Sequence, residues 1–588
     1  MLGTHPDRIS KTTNPPRQKP NIEDYDLARA DFSWQTANSK LFGDVADVCS
    51  SKYNITYNCV DRHAEDSRRD KTALLYAAED GSTERFTYAD LKKQTNKFAN
   101  VLSGLGVNKN DRVFIFMPAI PERYIAFLGI LKLGAVVGTM FAAFQEEALL
   151  DRLSDSEASV VVTNTELLPR IQNIQSKLPC LQKIIVVQRG STELPVASNV
   201  VAYEAAMQDA SDSFQTVAVK PEDFAYMLYT SGTTGKPKGV IHSHSDIVQA
   251  MATTSAVLDI QENDIYWCTA DIGWVTGVVY GVLGIWGLGG TSVLYEGRFS
   301  PENWYRVLQD HKVTVWYSAP TAIRMLMGSG VDTASYDFSH LRHLCSVGEP
   351  SNPEAIWWGL EVFGLPFHDT WWQTELGGIC ISNLPALDIK PGSMGKPLPG
   401  IEAAILDPAG NVLAPGQQGS LALRASTVQS LMKTIWHNQG KYDSYFIGDW
   451  YISGDSAYCD ADGYFWFVGR NDDVINTAGE RIGPFEVESA LVEHPNVVEA
   501  AVIGKPDAVR GEIIKAFVVL KDGVKTSDEL KKELQQFVKS HLSGHSYPRE
   551  IDFIDHLPKT RSGKIMRRVL KAKELGLPTG DTSTLENY

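Results

Sequence analysis

Tyr229-Thr-Ser-Gly-Thr-Thr-Gly-Lys-Pro-Lys-Gly-Val240 sets two hydroxyl pairs, three glycines and two lysines within ten residues, directly after the apolar segment Phe224 to Leu228. Glycines let backbone N–H groups approach phosphate oxygens, and hydroxyls and ammonium groups add donors and charge. A glycine-rich turn with solvated lysines is the blander reading, and the density of phosphate-friendly groups argues against it. The run is not a Walker A loop. The spacing fails at Thr230, and Pro237 follows Lys236 where a Ser or Thr should hold magnesium.

Outward from this loop the chain alternates strand-like and helix-like runs. Arg112 to Met117, Gly134 to Met140, Ser159 to Thr163 and Lys183 to Val187 read as buried strands, and Pro121 to Leu133 as a helix with proline at its start. Strands alternating with helices imply crossover connections and parallel pairing. After Arg470 the pattern changes to a compact α+β unit. A helix is expected near Pro484 to His494, strands near Val497 to Ile503 and Ile513 to Leu520, and a second helix from about Ser527. Thr526 and Glu529 would form that helix's capping box, and Leu530, Leu534, Phe537, Val538 and Leu542 its apolar stripe. Ile551 and Phe553 alternate as a last strand. Asn471-Asp472-Asp473 is the expected joint. The expected division is a mobile lead-in at 1–30, a large domain at 31–471, a small mobile domain at 472–577 and a tail at 578–588.

Across 588 residues, 55 Lys and Arg stand against 71 Asp and Glu, a net charge of −16. That acidic balance argues against nucleic acid or an anionic membrane as the main partner. Seven scattered cysteines without a CxxC pair argue against a disulfide framework or zinc site and suit the cytoplasm. The first 26 residues contain no apolar run of the secretory type. Ile272 to Tyr295 carries no charge, with Gly273, Gly277 and Gly281 spaced as in a membrane-helix pairing motif. Dense glycines and the flanking Asp271 and Glu296 favour a buried core segment instead.

With further motifs the sequence resembles the adenylate-forming superfamily, which includes acyl-CoA synthetases, firefly luciferase and peptide-synthetase adenylation domains. The motifs are Tyr317-Ser-Ala-Pro-Thr-Ala-Ile323, Ser346-Val-Gly-Glu-Pro-Ser-Asn-Pro353, Asp369-Thr-Trp-Trp-Gln-Thr-Glu375, Tyr451-Ile-Ser-Gly-Asp455, Gly469-Arg470, Asp472-Asp473 and Pro558-Lys-Thr-Arg-Ser-Gly-Lys564. Trp267-Cys-Thr-Ala-Asp-Ile-Gly-Trp-Val-Thr-Gly277 and the Trp371-Trp372 pair look like the acetate-activating branch. The resemblance implies an α/β fold, with a large N-terminal domain of mixed sheets and helices and a small mobile α+β domain. It implies acetate, ATP and coenzyme A as substrates, magnesium as cofactor, and formation of an acyl-AMP followed by transfer to the thiol. Another short acid such as propionate, or a catalytically silent nucleotide-binding homologue, stays open as an alternative.

The resemblance also assigns residues. Thr230, Ser231, Gly232, Thr233, Thr234, Gly235 and Lys236 would cover the ATP phosphates. Gly348, Glu349, Pro350, Asp369, Thr370, Trp371, Trp372, Gln373 and Thr374 would line the adenine side, Asp455 and Arg470 the ribose, and Arg481 would join the ATP site. Glu375 would hold magnesium, and Val492, His494 and Val497 match a second, backbone-heavy cation site. Val275, Thr276, Val347 and Trp372 would form a short acyl pocket. Thr276, Ala478 and Gly479 would meet coenzyme A. Lys564 would be the catalytic cation of the first step, and Asp472 the hinge. The same resemblance raises a lysine acetyltransferase and deacetylase acting at Lys564 as partners. Three features depart from the branch: Leu376 for a threonine, Ala478 for a serine, and a single arginine, Arg170, where a basic stretch usually meets coenzyme A. His242 and His244 lack a third ligand and read as plain loop residues.

Overall fold

The computed structural model describes residues 6–43, 48–190, 194–195, 197–230, 237–477, 480–507, 510–542, 546–560, 565–579, 582 and 585, with the side chains of 480 and 481 excepted. Phe224–Thr230, which leads into the glycine-rich loop, lies inside an eight-stranded sheet. Its neighbours run in the order Thr434–Ile435, Lys238–Ser243, Phe224–Thr230, Val136–Met140, Arg112–Phe116, Val160–Asn164, Lys183–Val187 and Val200–Ala202. From Phe224–Thr230 to the Val200 edge every pair is parallel, and Lys238–Ser243 and Thr434–Ile435 close the other edge antiparallel. Strands buried on both faces read as unbroken apolar runs, which is why Arg112 to Met117 and its companions were legible. Helix Pro121–Lys132 crosses between two of them, with proline in its first turn.

A second sheet of nine strands has six parallel strands at its centre: Thr72–Ala78, Thr291–Glu296, Ile265–Cys268, Val315–Ser318, His343–Val347 and Phe367–Trp371. One continuous apolar core takes side chains from both sheets, among them Ile115, Val137, Leu74 and Val347. Ile272 to Tyr295 is part of this core. It breaks into a short helix Val275–Val278, a π-turn Val279–Gly284, another short helix Ile285–Gly287 and the strand Thr291–Glu296. Gly284 is needed there, since a Cβ would come 1.9 Å from Thr254 Oγ1 on the neighbouring helix Ile247–Ala256. Among the described residues no helix is long and apolar enough to cross a membrane.

A third, antiparallel sheet pairs Trp450–Cys459 with Gly419–Arg424 and with Phe465–Arg470, which sets Asp455 opposite Arg470. Beyond Asn471-Asp472-Asp473 a separate sheet is built on Gly511–Leu520, paired with Val497–Asp507, Ile475–Thr477 and Glu550–Phe553. Helices Pro484–Val492 and Asp528–His541 bury Val487, Leu491, Leu530, Leu534 and Val538 with that sheet's apolar residues.

Three details differ from expectation. Ser527, not Thr526, caps helix Asp528–His541: its hydroxyl accepts from Leu530 N at 3.1 Å. Leu542 falls at the helix end and is exposed. The expected mobile lead-in is attached from its first described residues. Ile9 pairs with Ile389, Arg17 donates to Leu341 O and Phe363 O at 2.6 Å each, and helix Tyr25–Asp31 buries Tyr25, whose hydroxyl reaches Pro397 O at 2.7 Å. Contacts with residues more than 300 positions away, rather than an apolar stripe, hold this stretch, so periodicity gave no sign of it.

Candidate active site

In open α/β sheets, ligands gather beyond the carboxyl ends of parallel strands. The loops after His343–Val347 and Phe367–Trp371 leave at that end of the second sheet and open onto a cleft of about 1910 Å³ between the two domains. Gly348 takes φ +92°, a left-handed conformation that glycine adopts without strain. The next residue, Glu349, accepts from Thr321 Oγ1 at 2.7 Å and pairs with Arg324 Nη2 at 2.8 Å, so its carboxylate is fixed rather than solvated.

Asp455 is the centre of a polar cradle. Trp371 Nε1 and Gln373 Nε2 donate to its Oδ2 at 3.0 and 3.1 Å, and Arg470 Nη1 donates to Oδ1 at 2.8 Å. Tyr451 OH in turn donates to Gln373 Oε1 at 2.8 Å. Burial works against the Arg470 charge, but Asp455, Asp472 and Glu375 outweigh it and hold the guanidinium cationic. Asp369 sits deeper. It is buried, accepts from Ser346 Oγ at 2.8 Å, and burial pushes its carboxyl up to about 7. Thr370 bonds Ser346 O at 2.8 Å from the same strand. Gly348, Glu349, Trp372, Gln373 and Thr374 line the cleft itself, whereas Asp369, Thr370 and Trp371 form the layer beneath.

Glu375 lies in the turn Thr374–Leu376, its Oε1 accepting from Tyr445 OH at 3.0 Å. Behind the turn, His242 reaches Thr374 O through Nε2 at 2.8 Å and Asp246 Oδ2 through Nδ1 at 2.6 Å. His242 therefore belongs to strand Lys238–Ser243 and to a buried network, not to a loop. His244 is equally buried, and that burial pushes its imidazole down to about 3.

Val275, Thr276, Val347 and Trp372 line one side of the cleft. Tyr280 meets the Trp372 ring edge-on, 5.1 Å between centroids. Two partners hold the Tyr280 hydroxyl: Ile379 N at 2.6 Å and Thr253 Oγ1 at 2.8 Å. An ion pair fixes the segment before Val275. Arg123, buried in helix Pro121–Lys132, grips both carboxylate oxygens of Asp271, with Nη1 to Oδ2 at 2.7 Å. Gly277 then approaches so closely that a Cβ would lie 2.2 Å from Asp271 O.

From the small domain, Glu499, Lys559, Thr560, Ile565 and Arg567 line the same cleft. Arg567 pairs with Glu488, Nε to Oε1 at 2.8 Å; burial opposes its charge, and Glu488, Asp473 and Glu349 sustain it. Asp472 is half exposed, 3.9 Å from Arg470 Nε. Val492, His494 and Val497 sit at one helix-to-strand corner, where His494 Nε2 lies 3.3 Å from Glu533 Oε1 and Val497 N donates to His494 O at 3.0 Å. Among the described residues no group of three His, Cys, Asp or Glu is placed to hold a metal. Arg170 is engaged by the Ala142 and Phe144 carbonyls at 2.9 and 3.0 Å. Ser231 to Lys236, Ala478, Gly479 and Lys564 lie outside the described residues, as does the Arg481 side chain.

Sequence reasoning missed Arg123, Arg324 and Tyr445. For Arg123 a signal existed, a charged residue on a mostly apolar helix, but its partner is 148 residues away.

With this geometry in place, the chain belongs to the family of AMP-binding enzymes. The family model of the AMP-binding enzyme matches residues 60–436, and that of the AMP-binding enzyme C-terminal domain matches 486–564. An acetyl-coenzyme A synthetase of Bacillus subtilis (strain 168) is 53% identical, over 96% of this chain and 98% of that protein. One from Methanothrix thermoacetophila is 43% identical over 95% of this chain and 87% of its own. The crystal structure of an anthranilate CoA ligase in complex with anthranoyl-AMP superposes with a TM-score of 0.82 at 31% identity, covering 89% of this chain and 98% of that one.

Proposed function

We propose that this protein joins acetate to ATP as acetyl-AMP, releasing pyrophosphate, and then passes the acetyl group to coenzyme A, releasing AMP. The observation that carries the reading is a shared cleft: Gln373 and Arg470, which hold Asp455, line it together with Glu375 and the short pocket of Val275, Thr276, Val347 and Trp372. The relatives' names support the same chemistry.

In the first step an acetate oxygen attacks the α-phosphorus and the bond to the β-phosphate oxygen breaks. Two anions must meet, so a placed cation is the main requirement. Lys564 fills that role in this reading; the described residues on either side, Thr560 and Ile565, line the cleft. The Thr230 to Gly239 loop covers the outer phosphates, Asp455 and Arg470 hold the ribose, and Gly348 to Pro350 with Trp372 to Thr374 border the base. Glu375 offers a hard carboxylate oxygen beside the phosphate path, which suits magnesium, and that ion would neutralise bridging phosphate oxygens. In the second step the coenzyme A thiol attacks the acetyl carbon and AMP leaves. Rotation about Asp472 exchanges the Lys564 face for the Gly479 face, which opens the thiol's path. Acylating Lys564 would remove the charge the first step needs, which makes it the point at which an acetyltransferase and deacetylase would act. The acidic balance and scattered cysteines support a cytoplasmic setting.

The test is exchange of labelled pyrophosphate into ATP with a panel of acids. Acetate should give the fastest exchange, with propionate slower, and AMP formation should require both acid and coenzyme A. No exchange with any small carboxylic acid would overturn the reading.

A further inference from the structure

Lys441 belongs to no motif that carried the sequence reading. It lies on the short helix Gln439–Asp443, where the Asn438 side chain accepts its backbone N–H at 3.0 Å and Ser444 Oγ donates to its carbonyl at 2.7 Å, so its backbone is fixed. The preceding strand Thr434–Ile435 pairs with Lys238–Ser243, and Trp436 N donates to Gly239 O at 2.8 Å. Lys441 is thereby locked to the strand that leaves the phosphate loop. Its ammonium stands over the Tyr445 ring at 4.5 Å, and the Tyr445 hydroxyl bonds Glu375. Lys238, Lys441 and Glu375 all line the cleft. Among the described residues neither lysine forms an ion pair within 4.0 Å. Burial pushes the Lys238 ammonium down, Lys441 adds repulsion, and Glu375 only partly compensates. Two such ammonium groups beside one carboxylate leave room for an added anion of high charge.

We infer that Lys441 binds the pyrophosphate leaving group, donating from its ammonium to a β- or γ-phosphate oxygen while the Tyr445 face holds it in place. The inference rests on the ATP-dependent reading above and adds to it a contact that comes from outside the glycine-rich loop. Charge builds on this leaving group as the α–β bridge breaks, so the contact strengthens toward products.

Pyrophosphate and AMP binding to the purified full-length protein, measured separately by calorimetry, test it. Lys441→Met should weaken pyrophosphate binding about 10- to 100-fold, the scale of one charge-assisted hydrogen bond. It should change AMP binding less than about twofold, and Lys441→Arg should restore most of the loss. Unchanged pyrophosphate binding in Lys441→Met would overturn the inference. So would equal weakening of both ligands, which would mean a structural role. Wild-type protein that neither binds pyrophosphate nor exchanges it into ATP would instead overturn the underlying reading, and the inference with it.

Discussion

Trp372 decides, in the proposed reaction, how long an acid the pocket admits. An indole occupies the space of an alkyl tail, and Tyr280 and its two hydroxyl partners keep this one from swinging aside. Each added methylene is worth about 1–3 kcal/mol of discrimination. Trp372→Gly should therefore shift preference from acetate toward acids of four to six carbons by about tenfold or more. A panel of kcat/KM values checks this, and an unchanged chain-length profile would count against the pocket. For Lys564→Ala, loss of one stabilising cation of about 3–4 kcal/mol predicts a drop in acetyl-AMP formation of about two to three orders of magnitude. Thioester formation from supplied acetyl-AMP should persist, and equal loss of both half-reactions would refute the assignment. At this scale the sequence was legible as to which residues gather, with Gly348 and Gln373 on the cleft and Asp455 bonded to Gln373. It was less so where a strand sends alternate side chains inward. Asp369 looks in the sequence like a cleft residue, yet it lies beneath the wall, bonded to Ser346. Partner identity was not legible at all, because Arg123 and Asp271 meet only in three dimensions.

Elements were legible where burial is uniform. Lys183 to Val187 was read to the residue, since apolarity on both faces leaves little room for error. Helix caps were harder: Thr526 and Ser527 are adjacent hydroxyls, and only the backbone direction at Ser527 decides between them. The helix Pro353–Phe363 was not separated from its motif, and it carries an element-scale consequence. Glu354 in its first turn has a buried Oε2 without a hydrogen-bond partner among the described residues. Burial, with Glu493 of the small domain adding repulsion, pushes its carboxyl up to about 7. The folded protein thus keeps a proton that the unfolded chain gives up near the ordinary glutamate value. Stability from this group is complete below that value and falls as pH rises toward 7. Glu354→Gln should remove the loss, raising stability at pH 8 by up to about 3 kcal/mol and changing it little at pH 4. Denaturant unfolding at the two pH values checks the sign, and a variant less stable than wild type at pH 8 would refute it.

Over the whole molecule, the pattern changes after Arg470, and residues beyond it build a core of their own, as a domain that restarts its own periodicity does. How the two domains face each other was not written in either pattern. In this structure Arg567, Lys559 and Thr560 of the small domain line the cleft, whereas Thr477, next to residues 478–479, pairs with Gly511. This arrangement suits the first proposed half-reaction, and the second calls for rotation about Asp472. Proline fixes φ near −65° and removes an N–H. The turn's backbone hydrogen bonds come from Asn471 N to Gly454 O at 2.8 Å, Asp473 N to Arg470 O at 3.0 Å and Val474 N to Arg470 O at 3.1 Å. A proline at 472 removes none of these, while the φ change a rotation needs becomes costly. Asp472→Pro should leave pyrophosphate exchange within about threefold of wild type and slow thioester formation at least about tenfold. Single-turnover measurement of each half-reaction distinguishes them, and two intact steps would remove the hinge from Asp472.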